Sequence, residues 1–380
     1  MLLHHLVQAE RKKRLREIVA IFADRAKEHD EKKTFPFKNI NELQEVGYPS
    51  LSLHTSLGGQ GLTLTEWLEL QEILAIADGS TSLSIGWHIG ITSELHDKNW
   101  PEETLDEVAS DITTKGALLN AAATEPETGS PTRGGKPTTK AVQTENGWLI
   151  SGRKSFTSMV PALDYILVSA TLETGEVGNF LVKKEFKGIS IDETWDTVGM
   201  RGTASHDLIL KDVEVPSHYY VETFTPGQKS PAGWLLHIPA CYLGIAQAAQ
   251  YEAVQFAKTY SPNSLNGPIK NIPAVQTKIG ENEADLIQAR HLLYGVSSKW
   301  DHATDEERMS MQLELGVAKF HVVNSAQKVV DRAMRVVGAH SLYNSSKLQR
   351  YYRDVRAGIH NPPMDDRTIQ LLAHAQLNEE

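Results

Sequence analysis

Strand-forming sequence is confined to a single block of this chain, and no other feature restricts the possible folds as much. "GWLISGRKSFTS", "DYILVSATL", "GNFLVKKE", "GISIDETWDTVG" and "HDLILKDVEVP" follow one another between Asn120 and Pro216. They are rich in β-branched and aromatic residues and are separated by Gly, Asn and Asp. "TENGW" adds an Asn-Gly hairpin signal. Helical periodicity flanks the block on both sides. A run of strands set apart from runs of helices excludes an alternating α/β sheet and predicts an α+β chain of separately packed units. The expected units are 1–118, all helical; 119–222, strands; and 223–380, helical.

The flanking patterns are specific. In "REIVAIFADRAKEHD", Ile18, Ile21, Phe22 and Ala26 recur at helical spacing. "TEWLELQEILAIADG" reads as a helix, with Thr63 or Thr65 as its N-cap and Gly79 as its stop. "TSLSIGWHIGITSEL" is apolar almost all round, as a buried helix is. After Ala232 come three long stretches of the same kind, the first Ala-rich and the next two amphipathic, beginning at about Trp234, Ala274 and Met309.

Composition excludes several classes of function. The formal charge of −10 argues against a general nucleic-acid binder, whose surface must neutralise phosphates. The one cysteine, Cys241, permits no internal disulfide and fits a reducing compartment. No run of 18 apolar residues is present, and the N-terminus meets charge too early for a signal peptide, so the expectation is a cytoplasmic protein with no membrane span. No Cys/His spacing fits a metal site. "LGGQG" lacks the lysine of a phosphate-binding loop and does not follow a strand.

Four phrases in this order resemble the acyl-CoA dehydrogenase superfamily of flavoproteins: "LGGQGLT", "ATEPETGS", "VGMRGTASHDLILKDVEVP" and "RVVGAHSLYNSSKLQRYYRD". The resemblance covers essentially the whole chain. It implies an N-terminal helical domain, a middle β-barrel-like domain and a C-terminal four-helix bundle, assembled as a homotetramer or homodimer. It also implies FAD, or FMN in the monooxygenases built on the same fold. The partners implied are an acyl-CoA substrate and an electron-transfer flavoprotein or a flavin reductase.

By the same resemblance, Ala123 and Thr124 offer donors to the flavin's pyrimidine edge, where reduction builds up negative charge. Ser130 touches both cofactor and substrate. Phe156, Thr157 and Ser158 match the Trp-x-Thr wall behind the ring system, with a phenyl ring in place of an indole. Arg335 and Gly338 fall in the turn that reaches the partner subunit's FAD. The arginine that other members place on the pyrophosphate is missing from "YSPNSLNGPIKN", where only Lys270 offers a positive charge.

The base is the main departure. Family dehydrogenases abstract an α-proton with a glutamate. Its usual slot, counted from Arg353-Asp354, falls on Pro362; the alternative slot falls on Trp234, with Leu235 where a substrate-binding arginine stands. Replacement candidates are Asp365 and Asp366, which otherwise suit a helix N-terminus, and His360. The related monooxygenases also lack the glutamate and carry a histidine in this segment and another in the buried N-terminal helix, here His88. There His88 and His360 would serve reduced flavin and O2. His237 faces the same cavity by helical position, although a residue so placed is ordinarily packing, as is Cys241. The expected activity is thus α,β-dehydrogenation of an acyl-CoA, with flavin-dependent monooxygenation as the alternative and flavin binding without catalysis as the third reading.

Overall fold

A computed structural model describes residues 2–130, 134–228 and 230–378. Six helices come first: α1 (Gln8–Val19), α2 (Phe22–Lys32), α3 (Phe37–Glu45), α4 (Leu64–Ala77), α5 (Gly79–Thr92) and α6 (Glu102–Lys115). Thr63 caps α4 in a capping box with Glu66. Gly79 does not stop that helix. Asp78 ends α4 and caps α5, accepting from the Ser80 and Thr81 amides, so Gly79 is the first residue of α5. As its composition requires, α5 is buried over most of its length.

The strands are β1 (Leu119–Ala122), β2 (Lys140–Thr144), β3 (Gly147–Lys154), β4 (Tyr165–Leu172), β5 (Val177–Lys183), β6 (Ile189–Asp192), β7 (Asp207–Pro216) and β8 (Tyr220–Phe224). They form one mixed sheet in the order β6-β7-β3-β2-β4-β5-β8, with β1 running parallel to β4. The Asn-Gly signal is the β2–β3 hairpin, with Thr144 opposite Gly147.

The C-terminal helices are α7 (His237–Thr259), α8 (Pro273–His302), α9 (Asp305–Ser310), α10 (Gln312–Val337), α11 (Lys347–Arg356) and α12 (Asp365–Asn378). In this bundle α10 packs on α7 and α8, and α7 packs in turn on α4 and α5 of the N-terminal region. A continuous apolar core results, to which Trp67, Leu74, Leu243, Ala246, Val322 and Val329 contribute. Among the described residues, no helix is long and apolar enough to cross a membrane.

All three regions meet at one joint. Arg353 on α11 binds both oxygens of Asp30 on α2, at 2.9 and 2.5 Å, and donates to the Val198 carbonyl at 2.7 Å. Its neighbour Asp354 accepts the Met200 amide at 2.6 Å. Gly199 lies between these contacts, where a Cβ would stand 2.2 Å from the Arg353 carbonyl oxygen. Backbone presses on backbone there, so no side chain can yield. Gly199→Ala is therefore expected to destabilise the protein by roughly 2–4 kcal/mol. Chemical denaturation followed by circular dichroism measures it, and an unchanged midpoint would mean that the loop is free to move away.

Candidate active site

On the sheet side the site is built around a buried ion pair. Lys154, at the end of β3, donates to Glu125 at 2.6 Å, and neither side chain has any exposure. Glu125 also accepts from the amides and hydroxyls of Thr138 and Thr139, at 2.6 to 3.1 Å. Burial pushes this carboxyl up, but the bonds from Lys154, Thr138 and Thr139 outweigh it and hold the group at about 2. The acid of "ATEPETGS" is thus a structural anchor. It fixes the loop closed by mutual backbone bonds between Glu125 and Gly129, and with it the positions of Thr124 and Ser130. Gly129 has φ +67° with open space around it, so conformation rather than room calls for glycine.

The Thr124 carbonyl accepts the Ser155 amide at 2.8 Å, which ties this loop to "KSFTS". There the chain turns at Phe156, whose φ of 56° is unusual for a bulky residue. The turn leaves Phe156 64% exposed, with its ring edge-to-face with Trp195 at 6.0 Å. Among the described residues the Ser155 and Thr157 hydroxyls are buried without partners, while Ser158 pairs with Ser205 at 2.8 Å. An exposed flat ring beside unpaired buried hydroxyls fits a resident ring system that offers hydrogen-bonding edges.

On the helical side, Arg335 and Gly338 line a cavity of about 470 Å³ together with Tyr352 and Arg353. Gly338 ends α10 with φ 67° and ψ −148°, a conformation open to glycine. Arg335 is exposed and held by Asp331 at 2.7 Å. The Trp195–Met200 loop links this cavity to the Phe156 face, since Trp195 touches Phe156 and Val198 binds Arg353. A guanidinium and a bare turn suit a pyrophosphate, and the Phe156 face suits a ring system, so each side fits one part of a flavin dinucleotide.

The replacement bases fare differently. His88 is fully buried and both its nitrogens are engaged. The Leu119 amide donates to Nδ1 at 2.9 Å, which leaves the proton on Nε2, 3.0 Å from the Pro49 carbonyl. Burial lowers it to about 4. His88 therefore staples α5 to β1 as a neutral ring, with both nitrogens engaged by backbone. Asp365 opens α12 and is bound by Lys319 at 3.0 Å and Asn324 at 2.8 Å. It anchors the helix to α10, with both carboxylate oxygens taken up by those two side chains. Asp366 is exposed in the first turn of α12. His360 is exposed at the end of the turn that follows α11, with no side-chain hydrogen bond among the described residues.

A cluster between α5 and α7 was only partly foreseen. Trp87, Trp234 and His237 pack together, with His237 edge-to-face on Trp87 at 4.7 Å and parallel to Trp234 at 6.0 Å. Glu94 adjoins it. Burial raises this carboxyl to about 7, against opposing pulls that include Lys98 and a hydrogen bond with the Trp234 side chain. Sequence reading missed Glu94. Its one signal was a lone acid at the end of an otherwise apolar helix. Cys241, one turn beyond His237, donates to the Gly79 carbonyl at 3.4 Å within the core, as packing would have it. Among the described residues no group of three or more His, Cys, Asp and Glu side chains is placed to hold a metal ion.

A helical N-terminus, a mixed middle sheet and a C-terminal helical bundle define an acyl-CoA-dehydrogenase-type fold. Domain models of acyl-CoA dehydrogenases match throughout: the N-terminal domain over residues 8–103, the middle domain over 120–213 and the C-terminal domain over 236–361. The chain belongs to the acyl-CoA dehydrogenase family, whose cofactor is FAD. A putative acyl-CoA dehydrogenase of Bacillus subtilis, YdbM, is 51% identical over 93% of this chain and 92% of its own. A 3-(aryl)acrylate reductase of Clostridium sporogenes is 26% identical over 90% of this chain and 92% of its own. Among solved structures, FMN-bound TdsC of Paenibacillus sp. A11-2 superposes with a TM-score of 0.86 at 22% identity over 97% of both chains, a likeness of fold.

The Glu125 anchor has a testable pH signature. Its carboxyl is held below its ordinary value in the folded state, so the stability it contributes is full above about pH 4.5 and is lost as pH falls toward 2. Glu125→Gln is expected to cost roughly 3 kcal/mol at pH 7, since Lys154 is left buried and unpaired, and to flatten stability across that acid range. Denaturant midpoints measured from pH 7 to pH 2.5 would contradict this if both proteins declined in parallel.

Proposed function

We propose that this chain is a flavin-dependent monooxygenase, using reduced flavin and O2 to oxygenate an aromatic or sulfur-containing small molecule. The observation that carries the reading is the chemistry at the two base positions. Pro362 and Trp234 cannot take a proton from carbon, and Leu235 cannot bind the anion an arginine would. The nearby Asp365 is committed to Lys319. Oxygenation needs no carboxylate at Cα.

In this reading Ala123, Thr124, Ser130, Phe156, Thr157 and Ser158 seat the ring system. Arg335 and Gly338 receive the pyrophosphate, across the subunits of a homo-oligomer. Reduced flavin, FAD or FMN delivered by a reductase, supplies two electrons when bound. One atom of O2 enters the substrate and the other leaves as water. His360 supplies a proton from its imidazole nitrogen to the departing oxygen, a role open to an exposed imidazole that no other side chain engages among the described residues.

A second reading, α,β-dehydrogenation of an acyl-CoA with electrons passing to an electron-transfer flavoprotein, draws on Glu94. A partly buried carboxyl near pH 7 in protonation, hydrogen-bonded with the side chain at the alternative base position, has the strength a general base needs. The name of the 51% identical relative points the same way.

One experiment separates them. Flavin-loaded protein is titrated anaerobically with a panel of acyl-CoAs, then reduced and exposed to labelled O2 with aromatic and sulfur-containing test compounds. Monooxygenation predicts no bleaching by any thioester and label in a product. His360→Ala should lower product formation by roughly 100-fold and divert O2 to hydrogen peroxide. Bleaching by an acyl-CoA, abolished in Glu94→Gln, would overturn this reading and establish the second.

A further inference from the structure

The guanidinium of Arg350, in the first turns of α11, is left short of a partner beside open space. Arg350 is only 5% exposed. Its Nη2 is buried with no hydrogen-bond partner among the described residues. Asp354, one turn further along the helix, feels its charge, and the Tyr351 ring lies 5.2 Å from the guanidinium carbon. Neither accepts from Nη2. A buried, charged donor costs stability unless something accepts from it, so the exception needs a cause.

Arg350 lines a cavity of about 160 Å³ between α2 and the start of α11. That volume is several times the roughly 30 Å³ share of a water molecule, room for a small ion but not for a dinucleotide. Gln349 stands between this cavity and the larger one at Arg335, lining both. The wall opposite α2 is the N-terminus of α11, a helix of 10 residues whose first turn carries no acidic side chain. Ser346 caps it, accepting the Leu348 amide at 3.3 Å. The positive end of the helix dipole and the Arg350 side chain therefore face one space.

The other charges on the cavity wall are already spoken for or lie in water. Asp30 is bound at both oxygens by Arg353. Asp24 and Glu31 are exposed, as is Lys27, which lies 3.7 Å from Glu31. Solvent and salt screen all three. Lys347 is exposed and pairs with Glu252 at 2.9 Å. The buried charge still lacking an acceptor is that of Arg350. An oxyanion meets the demand, since it accepts from a guanidinium and from amides at a helix N-terminus alike. A cation or an apolar ligand does not.

We propose that this cavity binds a small oxyanion of the phosphate class, held by Arg350 and the start of α11. The site lies outside the reaction argued above and does not depend on it. Flavin-loaded protein is titrated with sodium phosphate by calorimetry, at constant ionic strength made up with sodium chloride. One saturable site is expected, and the thermal midpoint should rise as it fills. Arg350→Gln should weaken phosphate binding by roughly tenfold or more. Because that change also bears on Asp354, Lys27→Glu at an exposed position gives a second reading, with binding roughly threefold weaker in a protein that keeps its fold. Glycerol 3-phosphate, titrated alongside, distinguishes the occupant: tighter binding than inorganic phosphate supports a phosphomonoester, and weaker binding supports the free ion. Absence of saturable binding, or an equal response to chloride, would overturn the proposal. So would an affinity unchanged in folded Arg350→Gln. Should that variant fail to fold, an affinity unchanged in Lys27→Glu would overturn it instead.

Discussion

The Arg353–Asp30 ion pair is the interaction on which the arrangement of the site depends. A guanidinium offers its donors in a rigid fork, and here they reach a nearly buried carboxylate on α2, a carbonyl of the 198–200 loop and Gln349 one turn back on its own helix. The next residue, Asp354, is buried and pushed up to about 6 by that burial, against the pull of Arg350 and the Met200 amide. Two consecutive side chains thus fasten the N-terminal helices, the sheet domain's loop and the C-terminal bundle together. The same loop carries Trp195 against Phe156, so the joint also bears on the face that Phe156 presents.

The order of helices and strands was legible because periodicity is local. The capping box at Thr63 and the Asn-Gly hairpin were equally local and appeared where their residues predict. Gly79 misled because glycine also begins helices when the residue before it caps, as Asp78 does. "ATEPETGS" and "RYYRD" were recognisable as phrases, but their partners were not. Glu125 finds Thr138, Thr139 and Lys154, and Arg353 finds Asp30. Those pairings are made by the tertiary fold and carry no sequence spacing of their own.

The same limit applies to the histidines. His88 and His237 both lie on apolar helices and look alike in sequence. Among the described residues, one has both nitrogens satisfied by backbone and the other has neither. Which of them has chemistry left to offer depends on what stands opposite, the Leu119 amide and Pro49 carbonyl for the first and two indoles for the second. Asp365 and His360 divide in the same way: a few residues apart in the chain, one is locked by Lys319 and the other is exposed at the surface.

We propose that the Arg353 joint holds the Trp195–Met200 loop in place for flavin binding, and flavin affinity tests it most directly. Arg353→Met is titrated with FAD, following quenching of flavin fluorescence, with circular dichroism to establish that the helices persist. Loss of a charge-assisted fork that orders the site is expected to weaken FAD binding by roughly tenfold or more while helical content is retained. Unchanged affinity in a folded Arg353→Met protein would contradict the account, since the loop would then be positioned without the joint.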